Sequence, residues 1–209
     1  MSNRWSWLLA ILALTALGAC GANPGSGPDA TPQEAAAAAY QAGPPYSLTL
    51  YTMINNRSDS GAHTSLMINA PSQQVVFDPA GSVRFSSVPE IGDVLYGITP
   101  QVKRMYESAH ARETYRVRIQ EIIVPAATAE MALRLVQANG TVAPAACTSS
   151  TSGILTRLPG FETLRRVMFP TKLSDQFARL PGVTTRELRE SDSDDKTAAI
   201  RLMETGATQ

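Results

Sequence analysis

Residues 21–45, GANPGSGPDATPQEAAAAAYQAGPP, decide where this chain can place a core. A stretch dominated by Gly, Pro, Ala and Ser cannot bury enough apolar surface to offset the entropy lost on ordering it. A short helix fits within residues 33–40, but Gly43-Pro44-Pro45 ends it. Upstream, an uncharged apolar run from Trp5 to Leu17 has the length of a signal-peptide hydrophobic region and falls short of a membrane span. Downstream, residues from 187 onward carry Ser-Asp-Ser-Asp-Asp and little apolar pattern, which reads as a loose tail. The folding unit is therefore expected over 46–186, about 140 residues, long enough to bury a core of its own.

The apolar run ends in Leu17-Gly18-Ala19-Cys20, which resembles the bacterial lipoprotein signal, in which small residues precede a lipidated cysteine. The resemblance implies cleavage after residue 19 and diacylglycerol on the Cys20 thiol, followed by a lipid-anchored tether over 20–45. Several acyl chains hold far more firmly than one, because each buried CH₂ contributes about 0.8 kcal/mol. The expected location is the periplasmic face of the cell membrane or outer membrane, with the membrane itself as a partner through Cys20.

Charge and residue scarcity narrow the chemistry. The 209 residues carry 18 Lys+Arg against 18 Asp+Glu, and no basic cluster that would release counterions from nucleic acid, so a nucleic-acid partner is not expected. Two cysteines, Cys20 and Cys147, rule out a disulfide framework and Cys-rich zinc modules. Two histidines, His63 and His110, leave little scope for a metal site, and no cofactor is called for.

Within 46–186 the pattern predicts strands over Ser47–Ile54, His63–Ile68 and Gln74–Phe77, the last two joined by the turn Asn69-Ala70-Pro71-Ser72. A short strand follows at Val94–Ile98. Thr99-Pro100 opens a helix with its apolar stripe at Val102, Met105, Tyr106 and Ala109. From Tyr115 apolar residues alternate with Arg116, Arg118 and Gln120, which reads as a strand with one wet face. Thr128 is expected to cap a helix ending at Asn139-Gly140, with further helices from near Pro144 to Arg157 and over Thr171–Leu180. This order predicts an α+β domain, an antiparallel β-sheet packed against helices.

Once Cys20 is lipidated, Cys147 is the lone thiol. Its helix is expected to start beside it, and unsatisfied N–H groups in a first helical turn favour a thiolate. At 100° per residue Cys147 shares a face with Thr151, Ile154 and Leu158, so it points into the domain; there it reads as a nucleophile or as a small buried hydrophobe. His63 opens its strand as a base for that thiol or as a satisfied strand-end histidine. Asp78 falls opposite the His63 end of the hairpin, as the group orienting the imidazole or as an ordinary strand-ending turn residue. Asn69 is nearer the turn and too far. His110 reads as a solvated residue of a surface helix.

The segments GAHTSLMI, QQVVFDPAG and AACTSSTSGIL, in that order over roughly 46–165, resemble the circularly permuted branch of the papain-like, NlpC-type superfamily, with the layout of the lecithin:retinol acyltransferase-like enzymes. The resemblance implies a permuted papain-like fold with Cys147 as thioester-forming nucleophile, His63 as base and Asp78 as orienter. The chain departs from the superfamily in having Ala146 before the cysteine, where Asn or Asp is common. The expected function is an exported, lipid-anchored cysteine hydrolase, an amidase, peptidase or acyl-ester hydrolase, acting on an envelope peptide or an acyl lipid. The alternative is a non-enzymatic lipoprotein that uses the same fold to bind a protein or lipid partner. A redox role for Cys147 would need a resolving thiol in trans.

Overall fold

The computed structural model describes residues 29–81 and 83–206; the expected signal peptide, Cys20 and the first part of the span read as tether lie outside them. Seven strands form one antiparallel sheet: β1 (Ser47–Asn55), β2 (Gly61–Asn69), β3 (Gln74–Phe77), β4 (Glu90–Ile91), β5 (Val94–Leu95), β6 (Tyr115–Ile123) and β7 (Thr184–Leu188). Their spatial order is β4-β5-β3-β2-β1-β6-β7. The described helices are α1 (Pro32–Ala37), α2 (Pro100–His110), α3 (Ala126–Gln137), α4 (Cys147–Leu155), α5 (Pro170–Phe177) and α6 (Lys196–Glu204). The domain is α+β, with helices packed on both faces of the antiparallel sheet.

Period-2 alternation divides the strands between two cores. Leu48, Leu50, Leu66, Ile68, Val75 and Phe77 face α3, α4 and α5 and meet Leu133, Ile154, Leu173 and Phe177. Tyr51, Met53, Met67, Val76, Val117 and Ile119 face the other way, onto Met105, Tyr106 and Ala109 of α2. β1 and β2 are therefore buried on both faces, which is why their sequences mix apolar residues with Thr and Ser rather than alternating cleanly with charge.

The first turn of α2 is held as its sequence suggests. The Thr99 side chain accepts from the Val102 N–H at 3.2 Å, and Pro100 fills the first helical position, where no N–H is needed. Thr99→Ala should cost about 1 kcal/mol. In a chain of this size that lowers Tm by about 2–4 °C, readable by calorimetry.

Five elements differ from the sequence expectation. The β6 face carrying Arg116, Arg118 and Gln120 is largely covered: Arg116 and Gln120 are buried, and Arg118 alone stays partly exposed beside Glu187. Gln120 exchanges hydrogen bonds with Ser174 of α5, and Arg116 is buried against Asp59 and Glu187. Thr128 does not cap α3; the helix starts at Ala126 after Pro125, and Thr128 is buried inside it. The chain beyond residue 186 is not featureless: β7 pairs with β6 through Leu188, and α6 lies near α2, with Ile200 and Met203 against its core. Within the span read as tether, the start of α1 is held by a capping box between Thr31 and Glu34, and Ala35 is buried. No described helix is long and apolar enough to cross a membrane.

Candidate active site

β3 pairs with β2 only over Leu66–Asn69, so the outer edge of β2 from Gly61 to Ser65 has no neighbouring strand. A bulge sits at the same place: Met53 pairs with His63 and Ile54 with Gly61, leaving Ala62 as the extra residue. Bulges bend a strand and re-aim the next side chain. Two segments fill the gap left by β3, the turn that carries Asp78 and the start of α4 that carries Cys147.

Asp78 follows the last residue of β3 and points to the same face as His63. The His63 Nε2 lies 2.6 Å from Asp78 Oδ1, a charge-assisted hydrogen bond. With Nε2 so engaged, Nδ1 is the nitrogen left for the sulfur. Cys147 is the first residue of α4 and is buried. The structure thus brings together the three residues picked out from sequence, His63, Asp78 and Cys147. Next to them the Thr64 and Thr148 hydroxyls hydrogen-bond at 3.2 Å, fastening the residue after the histidine to the residue after the cysteine. Asn69 lies at the hairpin turn, donating to the Gly43 and Pro45 carbonyls.

The electrostatics follow from this placement. Burial pushes the His63 pKa down, but the Asp78 charge and hydrogen bond, with a smaller contribution from Cys147, outweigh it and hold the imidazole up at about 10. Burial pushes the Cys147 thiol up; the His63 hydrogen bond and charge, the Thr64 N–H and the Thr148 hydroxyl bring it down to about 7. Burial likewise raises Asp78, and the charge and hydrogen bond of His63, helped by His110 and the Tyr106 hydroxyl, keep its carboxyl below the ordinary range. Between about pH 7 and 10 the stable form is therefore a thiolate–imidazolium pair backed by a carboxylate. α4 has no side-chain cap on its first turn, so backbone N–H groups there are open to a developing oxyanion.

Three further residues complete the surroundings, and sequence reasoning missed all of them. Asp93 accepts from the Ala80 N–H (3.0 Å) and the Val142 N–H (2.8 Å) through one carboxylate oxygen, while its carbonyl accepts from the Asp78 N–H at 2.8 Å. It ties the Asp78 turn to the loop leading into α4. Locally it looks like any Gly-Asp turn. Tyr106 shares a 2.7 Å hydrogen bond with the Ser65 hydroxyl and reaches Asp78 as well. His110 is not solvated: it is 3% exposed, its ring is 4.5 Å from that of Tyr106, and it lies parallel to His63 with centroids 6.2 Å apart. Its i+4 spacing from Tyr106, inside the apolar stripe of α2, was the available signal.

Two alanines beside the site hold left-handed backbone, Ala80 in the Asp78 turn (φ 56°) and Ala145 two residues before Cys147 (φ 64°). Non-glycine residues pay for that conformation, and such strain persists where the surroundings over-determine it.

Comparison with protein-family models, curated proteins and solved structures returns no match.

Proposed function

We propose that the chain is a cysteine hydrolase that cleaves an amide or ester through a thioester on Cys147. The observation that carries this reading is the convergence of an imidazole clamped by a buried carboxylate on a thiol whose pKa is drawn down to about 7. In the first step the Cys147 thiolate attacks the acyl carbonyl, and the bond to the leaving nitrogen or oxygen breaks. His63 gives that atom its proton. In the second step water attacks the thioester, His63 takes the water's proton, and the carbon–sulfur bond breaks to return the thiolate. Asp78 is a positioning residue that fixes the ring and keeps it charged in the resting pair. The likeness to the permuted papain-like layout supports the same assignment.

The lipoprotein signal adds an envelope location with the site tethered to a membrane through Cys20.

The test is trapping. The full-length protein mixed with p-nitrophenyl butyrate and quenched in acid should gain one butyryl group on the peptide containing Cys147, and Cys147→Ala should gain none there. An unmodified Cys147 under conditions that label it with iodoacetamide would leave a non-catalytic binding lipoprotein as the better account.

A further inference from the structure

Residues 166–170 form a strap pinned at both ends. At one end the Val167 N–H donates to the Ser152 hydroxyl of α4 at 3.1 Å, and Arg166 Nε donates to the Ser149 carbonyl at 3.1 Å. At the other, Pro170 packs on Gly61 so closely that a Cβ there would lie 2.7 Å from the proline's. Between the pins Met168 and Phe169 are 64% and 69% exposed, the two most exposed large apolar side chains among the described residues. Pinned on both sides, the pair stays outside the core, and only a surface from outside the domain can bury it.

The charge around the strap is one-sided. From residue 157 to 179 the chain carries Arg157, Arg165, Arg166, Lys172 and Arg179 against Glu162 and Asp175, although the total charge of the chain is zero. Arg165, Arg166 and Lys172, the cations nearest the apolar pair in sequence, are exposed and form no ion pair with a described carboxylate. A groove of about 400 Å³ opens beside Arg166, with Arg157, Ser149 and Ser150 on its wall. At roughly 30 Å³ per water it has room for a hydrated phosphodiester, which a guanidinium fork suits.

The chain from Cys20 enters the domain at the same end of the sheet. Leu66, Phe77 and Val94 pair in a row across β2, β3 and β5, so Gly61, Asp78 and the Gly92-Asp93 turn all lie beyond them at one end. There the Asp29 carboxylate accepts from the Gly92 N–H at 3.3 Å, and the Ala30 N–H donates to the Glu90 carbonyl at 2.8 Å. Cys20 lies nine residues before Asp29, at most about 30 Å of extended chain. A leash that short confines this end of the domain to the neighbourhood of whatever surface holds Cys20.

We propose that Met168 and Phe169 enter the interface of an anionic bilayer, with Arg165, Arg166 and Lys172 on its phosphates, so that the domain docks by this strap as well as hanging from Cys20. The inference rests on the lipoprotein reading of Cys20. Such a patch is small for binding from solution, and the leash makes it enough. Apolar burial at the acyl boundary and attraction of cations to anionic headgroups then act together, and an aromatic ring favours that layer. A bilayer fits better than a protein because an apolar pair between cations matches phosphates lying over acyl chains, and Cys20 already places the strap beside them.

The experiment uses the full-length chain made in bacteria. Both of its tryptophans, Trp5 and Trp7, lie in the expected signal peptide, so after cleavage Phe169→Trp places a lone indole on the strap. The protein is reconstituted from detergent into phosphatidylcholine vesicles with or without about one-third phosphatidylglycerol, their acyl chains plain or brominated. On the mixed vesicles the indole should sit about 5–10 Å into the interface, with blue-shifted emission that bromine quenches. Adding Arg165→Glu and Lys172→Glu should lower the docked-to-free ratio, read from the quenched fraction, by at least about tenfold. Leaving out phosphatidylglycerol should lower it likewise. Mass spectrometry of the peptide that begins at Cys20 reports acylation separately; without acyl groups there, the lipoprotein reading and this inference both fall. An acylated chain whose indole is as wet on vesicles as an exposed tryptophan in water overturns the docking, keeps the anchor and leaves the strap to a protein partner. Quenching that is equal on both kinds of vesicle and in the charge-reversed chain overturns it too, since the anionic surface then plays no part.

Discussion

His63→Ala should move the midpoint of Cys147 alkylation from about pH 7 up toward the ordinary thiol value of about 9 and lower turnover by about 10²–10⁴-fold. The sign follows from what remains. Burial raises the thiol and its main opposing influence is His63, so without the imidazole, with only the Thr64 N–H and the Thr148 hydroxyl still drawing it down, the thiol titrates upward, back toward its ordinary value. At pH 6 a thiol of pKa 7 is about one-tenth ionised and one of pKa 9 about one-thousandth, a ratio near 100. A thiolate two units more basic is also more nucleophilic, by roughly tenfold at a Brønsted slope of 0.4–0.5. The net loss in iodoacetamide rate at pH 6 is therefore about tenfold, and above about pH 8 the variant should overtake the wild type. Crossing rate–pH curves are the diagnostic result. Parallel curves would mean that His63 does not hold the sulfur's charge. On the acid side, wild-type reactivity is lost as the pH falls through 7, because the thiolate is the depressed form.

Gly81→Ala should cost about 10²-fold in turnover although Gly81 contacts no reacting group. A Cβ at residue 81 would collide with the Asp78 carboxylate, both oxygens of which stand in the space it needs. That carboxylate is fixed by His63 and cannot move without losing the 2.6 Å hydrogen bond. A displacement of about 1 Å in such a group is enough for a loss of this size. The over-packing itself should lower stability by about 1–3 kcal/mol. A double-mutant cycle separates the two causes: in an Asp78→Ala background nothing stands in the way, so Gly81→Ala should add little. If the two losses multiply instead, the glycine acts on something other than the carboxylate.

Much of this arrangement was legible locally. The β2–β3 hairpin could be read because alternation and a short polar turn fix register, and register alone carries Asp78 to the His63 end. The start of α4 could be read from Pro144 and the small residues after it. What escaped was set by distant packing. Arg116 and Gln120 alternate with apolar residues as a wet face would, but alternation reports polarity and not exposure; α5 and Glu187 cover that face. β7 is exposed along almost its whole length and is held by pairing with β6, so no apolar pattern announces it. α6 has no fully buried residue, and its place is visible only from the core it leans on. Asp93 and His110 were missed for the same reason, since each works through residues that the fold brings close.

The Thr64–Thr148 hydrogen bond spans 84 positions, whereas His63 and Asp78 are 15 apart. Closing a long loop is entropically dearer and slower than closing a hairpin. The imidazole and its carboxylate can therefore meet as soon as β2 and β3 pair, while the sulfur must wait for α2, β6 and α3 to be laid down. Until then Cys147 has the basicity of an ordinary thiol and is slow to alkylate or to oxidise. In time as well as in space its reactivity arrives last, as a property of the finished domain and not of any half-built one.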